Sequence, residues 1–334
     1  EILSRKYRHK EYGIKHDARD EDHFLKCADA FLADTGVELG ILLSFLKYLQ
    51  LGVVEATFMI EVFPNVFEAT KENLVDGFLA YMDDFEHNYR KEISDVLDFI
   101  TLDCHELKYL KGEKHDVLPI WDRENRNNRF EVKPMLAVND KYVFSPVTMK
   151  QLKTFWENGF FEWYPPFEIG LDNVKKELEK WKRRYEDEMV QDIASLFVDA
   201  GFNPVYPEIE FRSRFPRHDF PDIGDYDVIA INQPKMEMWL IESKVLQKVG
   251  SVFEDQMQQK GFFFSDKNDE KFQRRIDYVK NNQGDIAAVL GIDLEGYTIV
   301  SYMVTNKLFL SRYKPIGFPI ITYHELTRRL GEYQ

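Results

Sequence analysis

The chain has 334 residues, 44% hydrophobic and 31% charged, a composition that excludes a disordered protein and allows about two domains of ordinary size. Its formal net charge of -14 excludes nucleic-acid binding over the whole surface, because phosphate affinity rests on clustered Lys and Arg. Any such contact has to be local, or supplied by bound metal ions. The only cysteines, Cys27 and Cys104, stand far apart and outside any CxxC or Cys/His spacing, so they suggest neither a disulfide framework nor a zinc site and point to a reducing, cytoplasmic compartment.

The sequence begins at Glu1 rather than a methionine, which implies a natural chain extending upstream. The most apolar stretch, Gly36 to Phe63, is interrupted by Glu38, Lys47, Gln50 and Glu55, whereas a membrane span needs about 20 nearly uninterrupted apolar residues. It reads as core helix, and no signal peptide is expected before it. From Glu21 to Lys111 apolar residues recur at helical steps, with Leu42, Phe45, Leu46 and Leu49 in one set and Leu74, Phe78, Leu79 and Met82 in another. Residues 1–120 are therefore expected to form an all-helical domain of unknown role.

The polar loop Asp122 to Arg129 marks the expected boundary. Residues 121–170 read as a connecting region: β-like runs at Val132 to Val138 and Tyr142 to Val147 flank a hairpin turn at Asn139-Asp140. A short helix from Thr148 to Asn158, closed by Gly159, follows. A third region, 171–334, opens with a long helix from Asp172 to Ala200, ended by Gly201 in the left-handed conformation. Strands are expected at Pro204 to Phe211, Tyr226 to Asn232 and Met238 to Lys244, then helices near Val252 to Phe263 and Glu270 to Asn281. Strands at Tyr297 to Val304 and Phe318 to Tyr323 and a last helix near His324 complete an α/β layer built on a mixed sheet.

Chemistry concentrates at one end of that sheet. Asp227 opens the apolar run Val228 to Ile231, and the next strand, Trp239-Leu240-Ile241, ends in Glu242-Ser243-Lys244. Side chains two apart on a strand share a face, so Glu242 and Lys244 emerge together, and hairpin pairing brings Asp227 beside them. Two carboxylates, helped by the Ser243 carbonyl, can hold a hard divalent cation such as Mg or Mn, which acidifies water and neutralises charge building on a phosphorus centre. Lys244 can orient or deprotonate the attacking water, its pKa lowered by desolvation beside the metal.

This pattern resembles the PD-(D/E)xK nuclease superfamily, whose fold is restriction-endonuclease-like. Asp227 matches the family's first acidic residue and Glu242-Ser243-Lys244 its ExK tripeptide; the resemblance spans Tyr185 to Leu330 and leaves residues 1–120 unidentified. It implies a Mg-dependent endonuclease acting on DNA, and a further acidic ligand on the preceding helix. Glu186, which shares a face with Val190, Ile193 and Phe197, is preferred to Glu188 for that role. Asp222 follows Pro221 and so spells the family's "PD" literally, but Asp227 alone directly adjoins the buried strand; Asp222 and Asp225 read as loop carboxylates.

Arg212, Arg214 and Arg217, with His218, form a basic knot that either positions phosphates or pairs with Glu208, Glu210 and Asp219. Lys271, Arg274, Arg275 and Lys280 read as the solvated face of a helix, and Gln256, Gln258 and Gln259 as helix-surface residues. There is no Walker A loop and no GxGxxG. The resulting expectation is a DNA endonuclease of phage defence or restriction, whose helical first domain serves recognition, regulation or homo-oligomer formation. The alternative is a nuclease-like module that only binds nucleic acid or a protein partner.

Overall fold

The computed structural model describes residues 18–51, 59–60, 63–82, 89–103, 132–161, 163, 165, 170–246, 252–309 and 316–333. They fall into two compact units, one ending at Trp181 and the other starting at Lys182. The expected boundary loop, Asp122 to Arg129, and Cys104 lie outside the described residues. No described helix is long and apolar enough to cross a membrane.

The first unit is not all-helical. It contains α1 (Ala18–Thr35), α2 (Leu39–Gln50), β1 (Met59–Ile60), β2 (Phe63–Thr70), α3 (Lys71–Met82), α4 (Arg90–Ile100), β3 (Thr101–Asp103), β4 (Met135–Val138), β5 (Lys141–Phe144) and α5 (Pro146–Phe161). The strands form one sheet in the order β1-β2-β5-β4-β3, parallel between β3 and β4 and antiparallel elsewhere. The 121–170 region is therefore part of this unit and not a connector. Its hairpin turns where expected, with Asn139 at φ 58, and Phe144 stacks on Phe67 of β2 at 6.0 Å between ring centroids. The helical apolar period of α2 and α3 hid the short strands that adjoin them. Gly159 does not close α5, which runs on to Phe161.

Helical faces supply this unit's core. Leu42, Phe45, Leu46 and Leu49 of α2 are fully buried, and Phe31 of α1 meets Trp156 of α5 edge-on at 5.2 Å. Cys27 is buried there too, and desolvation pushes its thiol up to about 12. The Asp34 carboxylate accepts hydrogen bonds from the backbone N–H groups of Asn173 and Val174 at 2.9 and 3.0 Å. It thereby caps the start of α6 (Asp172–Asp199), inside which the division between units falls.

From Lys182 onward the expected elements follow in the expected order, with two short helices, Phe211–Arg214 and Gln283–Leu290, that were not expected. Gly201, at φ 83, ends α6, with Phe202 N–H returning to Phe197 O at 3.0 Å. There follow β6 (Val205–Ile209), α7 (Phe211–Arg214), β7 (Tyr226–Asn232), β8 (Glu237–Lys244), α8 (Val252–Lys260) with a π-helical turn at Gly261–Ser265, α9 (Asn268–Asn281), α10 (Gln283–Leu290), β9 (Thr298–Thr305), β10 (Ile320–Thr322) and α11 (Tyr323–Gly331). The sheet order is β10-β9-β8-β7-β6, antiparallel from β6 to β8 and parallel from β8 to β10, which makes it mixed. A capping box between Thr322 and Glu325 starts α11.

Alternation along the central strand β8 assigns its faces. Met238 and Leu240 pack into a core with Phe272, Ile276 and Val279 of α9. The other face carries Trp239, which lies edge-on to Phe197 of α6 at 5.5 Å and to Tyr333, just beyond α11, at 5.7 Å. With hydrophobic cover on both faces, the sheet leaves only its ends for polar chemistry.

Candidate active site

The end of the sheet where β7 begins and β8 finishes carries the acidic residues. The antiparallel register pairs Val228 with Ile241, so Asp227 and Glu242 stand opposite each other one step further along. Paired positions project to the same side, and Lys244 follows Glu242 by two residues, which puts all three on the face covered by α9. Lys244 Nζ lies 2.8 Å from Glu242 Oε1. Asp227 Oδ2 accepts the backbone N–H of Ser243 at 2.5 Å, tying the start of β7 to the middle of the ExK tripeptide. Asp227, Glu242, Ser243 and Lys244 are thus brought together as expected.

The structure adds Arg275, a residue expected on the solvated face of its helix. It is only 6% exposed, and its Nη2 lies 2.8 Å from Glu242 Oε2. Its Nη1 donates to the backbone carbonyl of Asp225, and its own carbonyl accepts the Tyr226 hydroxyl at 3.0 Å. Side chain and backbone of Arg275 together therefore join α9 to β8 and to the start of β7. The helical period contains the signal: Phe272, Arg275, Ile276 and Val279 fall at i, i+3, i+4 and i+7, so Arg275 belongs to the buried stripe.

Electrostatics follow from this burial. Glu242 is 2% exposed, between two cations. Asp227 is pushed up to about 7, first by desolvation and then by the neighbouring Glu242 charge; Lys244 and the Ser243 N–H oppose the rise. For Lys244 burial acts downward, but Glu242 and Asp227 outweigh it and the ammonium is held above its ordinary value. This corrects the expectation of a lowered lysine pKa. Arg275, on the other oxygen of Glu242, acts downward on Lys244 but does not reverse the rise. Lys244 therefore stays protonated and cannot act as a base.

These groups floor an open cleft of about 410 Å³, whose walls include Asp222 and Asp225 from the loop before β7 and Asn268, Lys271 and Arg274 from α9. Asp222 and Asp225, expected to be ordinary loop carboxylates, are thus cleft residues. Beyond β8, Asn306 fixes the chain: its Oδ1 accepts Leu246 N–H at 2.8 Å and its Nδ2 donates to Leu246 O at 3.2 Å. That clamp holds the segment following Lys244 against the end of β9.

Other expected site residues lie elsewhere. Glu186 is not in the cleft; it pairs along α6 with Lys182 at 3.4 Å, and its side chain is 42% exposed. The reason is geometric: α6 packs on the Trp239 face of β8, opposite the face that presents the carboxylates. Arg212, Arg214 and Arg217 are exposed outside the cleft lining, and Arg212 pairs with Asp222 at 3.3 Å rather than with Glu208, Glu210 or Asp219. None of Gln256, Gln258 and Gln259 lines the cleft.

Among the described residues no three or more His, Cys, Asp or Glu side chains form a group able to hold a metal. A magnesium ion, however, commonly takes only one or two carboxylates and keeps several waters. Glu242 Oε2 is buried with no hydrogen-bond partner in acceptable alignment, its approach to Arg275 being an ion pair rather than an aligned hydrogen bond. Together with the crowding that raises Asp227, this leaves two facing carboxylates whose mutual repulsion a hard cation would relieve. Carboxylate oxygens are the kind of donor such an ion takes, although both oxygens of Glu242 here already face a cation.

Comparison of the chain with protein-family models, with characterised proteins and with solved structures finds no match.

Proposed function

We propose that the unit from Lys182 onward is a metal-dependent nuclease that hydrolyses phosphodiester bonds, most readily in DNA. The observation that carries this reading is the facing of Asp227 and Glu242 across β7 and β8, with Lys244 2.8 Å from Glu242, at the floor of an open cleft. The succession of a helix, three antiparallel strands, helices and a parallel strand is in keeping with the PD-(D/E)xK resemblance of the sequence.

Asp227, Glu242 and the Ser243 carbonyl would hold Mg or Mn, which supplies Lewis-acid stabilisation of the phosphate and acidifies water. The chain's own groups do the rest. Ser243 N–H fixes Asp227 Oδ2 and thereby aims the remaining oxygen. Lys244, kept as an ammonium, can donate from Nζ to a phosphate oxygen or to the attacking water and offset the negative charge that develops. Arg275 keeps Glu242 in place while this happens. On this reading the first unit serves recognition or regulation, through a partner or a second copy of the chain, and the whole acts in the cytoplasm in restriction or phage defence.

The decisive experiment incubates the purified chain with supercoiled, linear and single-stranded DNA, with Mg or Mn and with EDTA. Metal-dependent cutting that is lost in Asp227→Ala and Lys244→Ala, with melting curves showing both variants folded, supports the reading. Equal cutting by parent and variants refutes the site. A second reading, a binding module without hydrolysis, is favoured by one observation: Glu242 already has Lys244 and Arg275 as counter-ions. It requires a parent chain whose melting temperature does not respond to Mg or Mn.

A further inference from the structure

Helix α9 presents cations to the candidate site from two depths. Arg275 is buried and bound to Glu242 and to the Asp225 carbonyl, while Lys271 and Arg274, one turn back and one residue back, are exposed and line the cleft. No ion pair to either Lys271 or Arg274 is found among the described residues. By contrast Arg212, the basic-knot residue nearest the cleft in bonding, is already paired with the cleft carboxylate Asp222.

The charge balance makes this placement selective. Cleft residues Asp222, Asp225, Asp227 and Glu242 are matched by Lys244, Lys271, Arg274 and Arg275, so the cleft is formally neutral in a chain of net charge -14. A polyanion meets less repulsion there than the net charge of the whole chain would impose. Since Lys244 and Arg275 are engaged with Glu242, Lys271 and Arg274 are the cleft cations left for an outside anion. The Arg275 anchor fixes both at a set distance from the carboxylates, which is what positioning a phosphodiester for attack demands.

We infer that Lys271 and Arg274 of α9 form the phosphate clamp of this protein and bind the backbone of a nucleic acid next to the bond to be cut, while Arg275 sets the register of the clamp against Asp227 and Glu242. The inference deepens the nuclease reading and rests on it. It moves nucleic-acid contact from Arg212, Arg214 and Arg217 to the helix on the other side of the cleft.

The test measures binding of a short fluorescent DNA duplex in EDTA over a range of salt, in the full chain carrying Asp227→Asn to prevent cutting. Each phosphate contact contributes about 0.9 to the slope of log affinity against log salt on duplex DNA. Adding Lys271→Gln and Arg274→Gln should lower the slope by about 1.8 and weaken binding about tenfold or more at moderate salt. Lys271→Arg with Arg274→Lys should keep the parent slope, which a general loss of folding could not do. Replacing Arg212, Arg214 and Arg217 by Gln should leave the slope nearly unchanged. If the parent cuts DNA but the α9 pair leaves the slope intact, or the Arg212 group carries it, the clamp is refuted and the nuclease reading stands. If the parent neither binds nor cuts, both fall.

Discussion

Asp227→Asn should stabilise the metal-free protein above neutral pH. In the parent, burial and the Glu242 charge raise Asp227 from the ordinary 3.8 of an aspartate to about 7. At about 1.36 kcal/mol per pH unit, that displacement corresponds to a cost on the order of 4 kcal/mol for keeping the carboxylate ionised in the fold. Between about pH 4 and 7 the folded state holds a proton that the unfolded state has released, so this group makes stability fall as pH rises through that window. Asparagine can still accept the Ser243 N–H but carries no charge. Because Glu242 and Lys244 readjust, roughly half of the ceiling, about 2 kcal/mol, is the working expectation, or about 4–8 °C in melting temperature for a unit of this size. Melting in EDTA at pH 8 and pH 4 measures it: the variant should melt higher at pH 8, and the gap should close at pH 4. A variant less stable than its parent at pH 8, or a gap independent of pH, would refute the argument that charge crowding is built into this site.

The same linkage predicts that Mg or Mn raises the melting temperature of the parent more at pH 8 than at pH 6, since cation and proton compete for Asp227, and that the rise disappears in Asp227→Asn. Arg275→Met should cost about 3–5 kcal/mol in urea denaturation by leaving Glu242 with a single counter-ion, with Arg275→Lys recovering part of it. Asn306→Ala removes both hydrogen bonds to Leu246 and should cost about 1–3 kcal/mol; DNA cleavage should fall more than overall stability, because the loss is local to the end of β8.

Much of the second unit is legible in the sequence because its elements are long and punctuated. Apolar β7 and β8, the Gly201 cap and the short turn between the strands fix the hairpin register, and with it the meeting of Asp227, Glu242 and Lys244. What escapes is what depends on the third dimension. The buried stripe of α9 includes Arg275, but a cation in a helix rich in charge reads as solvated until Glu242 is placed beneath it. Glu186 shares a helical face with apolar residues, yet nothing local to α6 says which face of the sheet it covers. In the first unit β1 and β3, of two and three residues, are too short for their alternation to outweigh the helical period around them, and β2, though eight residues long, opens with Phe63-Pro64-Asn65, a start that argues against a strand.

Strand β8 sits in the middle of its sheet, and its two edges are completed on different schedules. Its antiparallel neighbour β7 is joined to it by a tight turn and can dock at once, whereas its parallel neighbour β9 begins only at Thr298, after three helices have been made. During synthesis the hairpin therefore exists first, with the free edge of Trp239, Leu240 and Ile241 open to pairing with other chains. A chain stopped before β9 should accumulate as aggregate, and the cell's folding helpers should be needed most in the interval between these two events.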